Sequence, residues 1–198
     1  MAAGYSAGCL PIFSQGNFAA FHVSGGTTEV LSVRPSPTGF AVELIGGTKD
    51  LHAGQAIDRI GVMMGLTFPC GKELERLAAA NRKPVPPPRV RTEGTYCHIS
   101  GLENMAQKLW KESADPALVS AFVLEYLARV LEGMTQGVDA IAPGLPILYA
   151  GGVMSNRFLQ NRLSARPDTY FADPTFSSDN AAGIALLCRA AWNKEWNR

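Results

Sequence analysis

Phe18-Ala-Ala-Phe-His-Val-Ser-Gly-Gly-Thr-Thr-Glu-Val-Leu-Ser-Val33 is the stretch that decides the fold. Phe18–Val23 and Glu29–Val33 are apolar runs of strand length, and the residues between them are small. Two strands returning on one another through a tight turn are therefore expected. Gly25 and Gly26 lack a Cβ, so a ligand could reach the backbone N–H groups, and successive N–H groups in a turn form a concavity for anions. Gly-Gly is equally at home in an ordinary hairpin. On this stretch alone the hairpin is the simpler reading; a second Gly-Gly farther along changes the balance.

Working outward, a third strand signal at Phe40–Ile45 extends the pair into an antiparallel meander. A helical pattern runs from Ala53 to Leu66, with Ile57, Ile60 and Met64 on one stripe and Gln55, Asp58 and Arg59 on another face. A shorter helix over Lys72–Asn81 gives way to a basic, proline-rich loop within residues 82–94, where four prolines forbid helix and sheet ladders. A strand at Thr95–Ile99 and a helix over Gly101–Trp110 follow. Asp115 and Pro116 then open the longest helix as N-cap and first-turn residue. The chain continues with a strand at Pro146–Ala150, a helix from Ser155, a strand at Thr169–Ala172 and a helix from Asp179 to Trp192. Strands separated by helices imply parallel pairing. A meander feeding alternating helices and parallel strands is the order of an α/β, ribonuclease-H-like lobe. That is the unit from which the actin, Hsp70 and sugar-kinase ATPases are built.

Composition narrows the classes. At 198 residues, with 46% apolar and 18% charged residues, the chain can bury one sizeable core or two small lobes and does not have the make-up of a disordered chain. A formal net charge of +1 excludes a surface coated in basic residues, so any nucleic-acid contact is local. No apolar run reaches membrane-spanning length and no secretory leader follows Met1, so a cytoplasmic protein without membrane contact is expected. Cys9, Cys70, Cys97 and Cys188 are scattered, which suits reduced thiols better than a disulfide framework or a zinc site.

The second Gly-Gly lies in Leu148-Tyr-Ala-Gly-Gly-Val-Met-Ser-Asn-Arg157. A strand ending in Gly151-Gly152, with Ser155 placed to cap the next helix, aims a helix N-terminus beyond the strand's carboxyl end. Ligands bind at that edge in open α/β sheets. A compact βα turn is the plainer reading, and Asn156 tips the balance by adding a directional hydrogen-bonding side chain. Asp58 and Gln55 point the same way on their helix, where a carboxylate suits ribose hydroxyls; a solvated face with Asp58 paired to Arg59 is the ordinary alternative. Ser177-Ser-Asp-Asn180 offers more capping residues than one helix needs, with Asp179 either a metal ligand or a first-turn acid. Gly65–Lys72 imitates a P-loop, but it has one residue too many between its glycines and Glu73 where Ser or Thr belongs.

With these positions in hand, the chain resembles the catalytic-subunit family of tRNA threonylcarbamoyladenosine synthases, known as TsaD or Gcp-like and formerly as O-sialoglycoprotein endopeptidases. The resemblance rests on HVSGGTTE (22–29), AGQAIDRIGVMMGL (53–66), FPCGKELERLA (68–78), HISGLE (98–103), AGGVMSNRFL (150–159) and SSDNAAGIAL (177–186). It implies a two-lobed ATPase-like fold that transfers a threonylcarbamoyl group from an adenylate to adenosine in tRNA. It further implies that Val23, Ser24, Gly25 and Gly26 contact the phosphate or carbamoyl end of ATP or threonylcarbamoyl-adenylate. Asp58 and Gly71 would hold the ribose, Asn156, beside Gly151 and Gly152, would help bind the nucleotide, and Asp179 would hold a divalent metal: iron, zinc or magnesium.

The sequence also departs from the family. It lacks the His-x-x-x-His segment that supplies the first metal ligands, so a metal is expected only if those ligands come from elsewhere. Thr27 stands where the family usually has histidine, and Gln55 where it has glutamate. The expectation is a single C-terminal lobe over 1–198, with 1–16 a remnant of a preceding lobe or a linker, or a truncated paralog, inactive alone. Implied partners are a second copy or a TsaB-like or Gcp-like subunit. Arg82, Lys83, Arg89 and Arg91 could grip the phosphate backbone of tRNA, or the loop could dock a proline-reading domain; a plain solvated loop is the simplest reading. The alternative is a non-catalytic paralog serving dimerisation or partner binding. A metallo-endopeptidase, as the older label has it, finds no HExxH motif here.

Overall fold

A computed structural model of the chain describes residue 12 and residues 16–37, 39–174 and 181–192. In chain order the elements are β1 (Phe18–Val23), β2 (Thr28–Ser36), β3 (Gly39–Thr48), α1 (Ala53–Met63), α2 (Gly71–Ala80), β4 (Arg91–Glu93), β5 (Tyr96–His98), α3 (Gly101–Ser113) and α4 (Pro116–Ile141). There follow β6 (Ile147–Ala150), a 3₁₀ turn (Gly152–Ser155), α5 (Arg157–Leu163), β7 (Thr169–Phe171) and α6 (Ala181–Trp192).

The described strands form one mixed sheet in the order β4-β5-β3-β2-β1-β6-β7. β1, β2 and β3 are the antiparallel meander; β6 joins β1 in parallel, and β7 joins β6 in parallel. This is the α/β, ribonuclease-H-like order of the ATPase lobes, extended past β3 by the β4–β5 hairpin.

β1 is central because its residues are apolar on both faces. Ala19, Phe21 and Val23 face the helices, while Phe18 and Ala20 pack with Val33 and Leu148 on the opposite side. α4 crosses the helical face, and its buried residues run from Leu118 to Val138. Its start is fixed as expected: the Asp115 carboxylate accepts from the N–H groups of Ala117 and Leu118, and Pro116 takes the first turn. Tyr149 of β6 lies between Phe21 and Phe171, with ring centroids 4.8 and 5.4 Å away, and its hydroxyl meets Thr135 of α4 at 2.5 Å. Sheet and helix are thereby joined through a buried contact.

Several boundaries differ from the sequence expectation, each for a local reason. α1 stops at Met63 rather than Leu66, because Gly65 turns left-handed (φ 85°) and the Leu66 N–H folds back onto the Gly61 carbonyl. β2 and β3 outrun their apolar cores through Pro35–Phe40 pairing at one end and Gly46-Gly47 at the other. The 82–94 segment is not wholly loop: Arg91–Glu93 pairs with β5 once the prolines have passed. α3 continues beyond Trp110 to Ser113 and ends where Ala114 turns left-handed. Ser155 does not cap the helix after β6; it closes the 3₁₀ turn, and Asn156 is the cap.

Candidate functional site

β1 and β6 are parallel and adjacent, with His22 beside Ala150. The segments that follow them, Ser24–Gly26 and Gly151-Gly152, therefore leave side by side from one edge of the sheet. Gly151 makes this adjacency fit. Its φ is 104°, and a Cβ there would stand 2.3 Å from the Val23 carbonyl oxygen, so only glycine is accommodated.

The first turn is locked from within and from behind. The Ser24 N–H donates to the Thr27 carbonyl at 2.7 Å, and the Gly54 N–H of α1 donates to the Ser24 carbonyl at 3.1 Å. Gly54 approaches so closely that a Cβ would lie 2.6 Å from the Gly25 Cα. The Thr28 hydroxyl accepts from the Ala53 N–H at 3.0 Å and donates to the Thr27 carbonyl. Thr28 is thus a structural residue of the site, which its place in a run of small polar residues did not reveal. Gln55 reaches back to the His52 N–H at 3.5 Å, a long contact in the position where a capping box would place Glu or Gln.

One turn along α1, Asp58 does not pair with Arg59, which instead meets Glu103 at 3.2 Å. Its Oδ1 accepts from the Cys70 N–H at 2.8 Å, bringing the start of α2, and with it Gly71, against Asp58. Its second oxygen has no partner among the described residues. Burial, with the nearby Asp58 charge, pushes the Cys70 thiol above its ordinary value, so Cys70 is no thiolate nucleophile.

Asn156 is buried, and its Oδ1 accepts from the Leu159 N–H at 3.1 Å as the α5 cap. What it can still offer a ligand is its amide N–H2. Glu75 of α2 takes the Arg157 N–H at 2.8 Å, so the start of α5 is already served by two of the protein's own side chains. The helix N-terminus is less available to an anion than the strand–Gly-Gly–helix pattern suggested. No local signal marks Glu75, whose partner is far away in sequence.

The glycines separate into two kinds. Gly54 and Gly151 are pressed against backbone, whereas a Cβ at Gly25, Gly26, Gly71 or Gly152 would meet nothing within 4 Å. These four keep their backbone open, and the contacts through Gly54, Asp58, Cys70 and Gly151 tie their segments to one end of the molecule. Val23 is buried beneath the turn. Asp179, with the rest of Ser177–Asn180, lies outside the described residues. Among the described residues no three His, Cys, Asp or Glu side chains stand together as a metal site.

The basic loop is partly neutralised, two of its four cations meeting carboxylates while Arg89 is exposed. Lys83 meets Asp115 at 2.8 Å, Arg91 meets Glu93 at 2.6 Å, and Arg82 donates to the carbonyls of Ala79 and Asn81. A cavity of about 290 Å³ lies under Pro86–Arg89, over Met105 and Phe122, and contains none of the candidate nucleotide-site residues. No helix among the described residues is long and apolar enough to cross a membrane.

The family model described as TsaD, tRNA N6-adenosine threonylcarbamoyltransferase, matches residues 13–186. The chain belongs to the TsaD family. It is 35% identical over 181 residues to a tRNA N6-adenosine threonylcarbamoyltransferase of Thermus thermophilus, covering 89% of this chain and 54% of that relative. It is 34% identical over 191 residues to the Bacillus licheniformis protein of the same description, covering 88% and 54%. A Streptococcus pyogenes relative is 29% identical over 187 residues, covering 89% and 54%. The chain thus spans about half the length of the TsaD relatives it matches. Among solved structures, an activator of the 2-hydroxyisocaproyl-CoA dehydratase from Clostridium difficile with bound ADPNP superposes with a TM-score of 0.55 at 13% identity, over 90% of this chain and 62% of that one. At that identity the likeness carries the fold.

Proposed function

We propose that this chain is the nucleotide-binding lobe of a TsaD-type protein acting in ATP-dependent tRNA threonylcarbamoyladenosine modification. The observation that carries the reading is the side-by-side exit of Ser24–Gly26 and Gly151-Gly152, with Gly25, Gly26 and Gly152 open toward the same end. Small residues with free backbone N–H groups suit the phosphate or carbamoyl end of ATP or threonylcarbamoyl-adenylate. The unpartnered oxygen of Asp58 suits ribose hydroxyls, with Gly71 alongside and the Asn156 amide within the same set. Threonylcarbamoyl-adenylate, when bound, would supply the activated threonylcarbamoyl group, with AMP as the leaving group; this chain's residues would bind and orient it.

Family membership supports the reading. The relatives' further length is where an opposite wall of the pocket, the remaining metal ligands for Asp179 and the transfer chemistry would come from. A TsaB-like or Gcp-like partner, tRNA and a cytoplasmic location belong to the same proposal. Gln55 does not weigh against it, because glutamine serves the capping position as glutamate would.

Titration calorimetry with a non-hydrolysable ATP analogue tests it. Wild type is expected to release heat, while Gly25→Val and Asp58→Ala weaken binding at least about tenfold with unchanged circular dichroism. No heat from wild type would overturn the reading and favour a dimerisation or partner-binding paralog.

A further inference from the structure

Lys83-Pro-Val-Pro-Pro-Pro-Arg89 is extended by covalent geometry alone. Each proline fixes its own φ at about −65°. Lys83, Val85, Pro86 and Pro87 each precede a proline, which turns them away from the helical region. The product is polyproline II, which repeats every three residues, so positions three apart share an edge. Burial follows that period. Val85 packs on the main core and Pro88 is buried, whereas Lys83, Pro84, Pro86, Pro87 and Arg89 are exposed. One edge is thus kept by the chain, and two edges, Pro84–Pro87 and Lys83–Pro86–Arg89, face solvent together.

Both ends of this ridge are tied down. The Asn81 side chain donates to the Lys83 carbonyl at 2.7 Å and accepts from the Lys83 N–H at 3.1 Å, and Lys83 meets Asp115 at 2.8 Å. At the far end Arg91 starts the pairing of β4 with β5. Between these anchors, residues 84–89 make no hydrogen bond or ion pair with any described residue. Their carbonyls and the Arg89 guanidinium are left unused.

From this ridge we infer that the chain docks a partner protein through a proline-reading groove, lined by aromatic side chains and carrying a carboxylate for Arg89. Such a groove takes two edges of a polyproline segment and leaves the third outside. Here the third edge is the one already buried. Pro84 and Pro87 have the PxxP spacing, and Arg89 follows two residues later. A polyproline segment has nearly the same outline in both chain directions, so a charge at one end sets the direction of docking. Aromatic rings pack on the proline rings while their N–H or O–H groups serve the free carbonyls. The cavity beside Pro86–Arg89, with Met105, Leu109 and Phe122 in its wall, extends this apolar seat toward α3. RNA is the less favoured occupant. Of the four basic side chains only Arg89 is free of a partner, and prolines offer no N–H to a phosphate. The docking is independent of the nucleotide reading and leaves the glycine turns untouched.

Purified SH3 domains that select PxxP followed by arginine serve as the probe, titrated calorimetrically against the chain and against a free peptide of residues 82–91. The chain is expected to bind with a Kd on the order of 10 µM, no more weakly than the peptide, because the ridge is held extended. Pro87→Ala and Arg89→Glu should each weaken binding at least about tenfold. Val85→Ala, on the inward edge, should stay within about twofold of wild type. Folded variants are identified by unchanged circular dichroism. Binding by the peptide alone, binding by neither, or equal loss at Val85 and Pro87 would overturn the proposal. So would tRNA binding that falls with Arg89→Glu and not with Pro87→Ala while no domain binds, which would assign the loop to RNA.

Discussion

At Asp50, three backbone N–H groups and the hydroxyls of Thr48 and Ser100 converge on one carboxylate. Leu51, Ile99 and Ser100 donate to Oδ1 at 2.6, 2.7 and 3.2 Å, and the Ser100 hydroxyl donates to Oδ2 at 2.6 Å. Partial burial opposes the charge, but the bonds from Ser100 and the backbone outweigh it and hold the carboxyl far below the usual carboxylate range. A folded value below the unfolded one means that ionisation favours the fold. The contribution is complete above about pH 4 and is lost as pH falls through the folded value. Asp50→Asn is expected to lower unfolding free energy by about 2 kcal/mol at pH 7, with the gap to wild type narrowing below about pH 4. Urea melts at pH 7 and pH 3 check both statements. At the glycines, the letters alone could not say which member of Gly151-Gly152 is packed and which is open, because the answer depends on where the Val23 carbonyl lies. Gly151→Ala should cost several kcal/mol through its left-handed φ and the Val23 clash. Gly152→Ala should melt within about 2 °C of wild type while weakening nucleotide binding; calorimetry of both variants checks the contrast.

Elements were legible where one periodicity dominated. β1 reads as a central strand from its own residues, and α4 carries both its cap and its stripe in sequence. Contacts between distant segments were not legible: β4 forms because β5 is beside it, and Asn156 rather than Ser155 caps α5 because a 3₁₀ turn intervenes. The same applies to Arg166, whose guanidinium holds Asp139 at 2.6 Å and the Leu145 carbonyl at 2.7 Å, joining the end of α4 to the approach of β6. It is only 17% exposed. Arg166→Met is expected to cost about 2 kcal/mol, and Arg166→Lys to recover less than half, because an ammonium cannot serve carboxylate and carbonyl as a planar fork does. Chemical denaturation of the two variants, with Asp139→Asn to complete a cycle, measures this.

For the molecule as a whole, the order of elements in the sequence was enough to name the lobe, whereas the electrostatics of its loop were not. Four basic residues around the prolines could be read as a phosphate grip or, more simply, as a solvated loop; the fold sets Asp115 and Glu93 beside Lys83 and Arg91, turns Arg82 onto carbonyls and leaves Arg89 exposed. With a net charge of +1 and these pairings, the isolated chain should bind tRNA weakly. The slope of log K against log salt should be no steeper than about −2, measurable by filter binding from low to moderate salt. A steep slope would show that the loop releases its partners to meet RNA.

Taken in sequence, the links Val23–Gly151, Ser24–Gly54, Asp58–Cys70 and Glu75–Arg157 run from the sheet through α1, α2 and α5 and back to Gly152. They make a hoop rather than a string of contacts. A hoop has a fixed circumference: no segment can yield without the others giving way, and a cut anywhere turns it into an open clasp. Glu75 lies across the hoop from the first glycine turn. Glu75→Ala should nevertheless speed hydrogen exchange at the bonded Ser24 and Gly54 amides, as though the break were next to them.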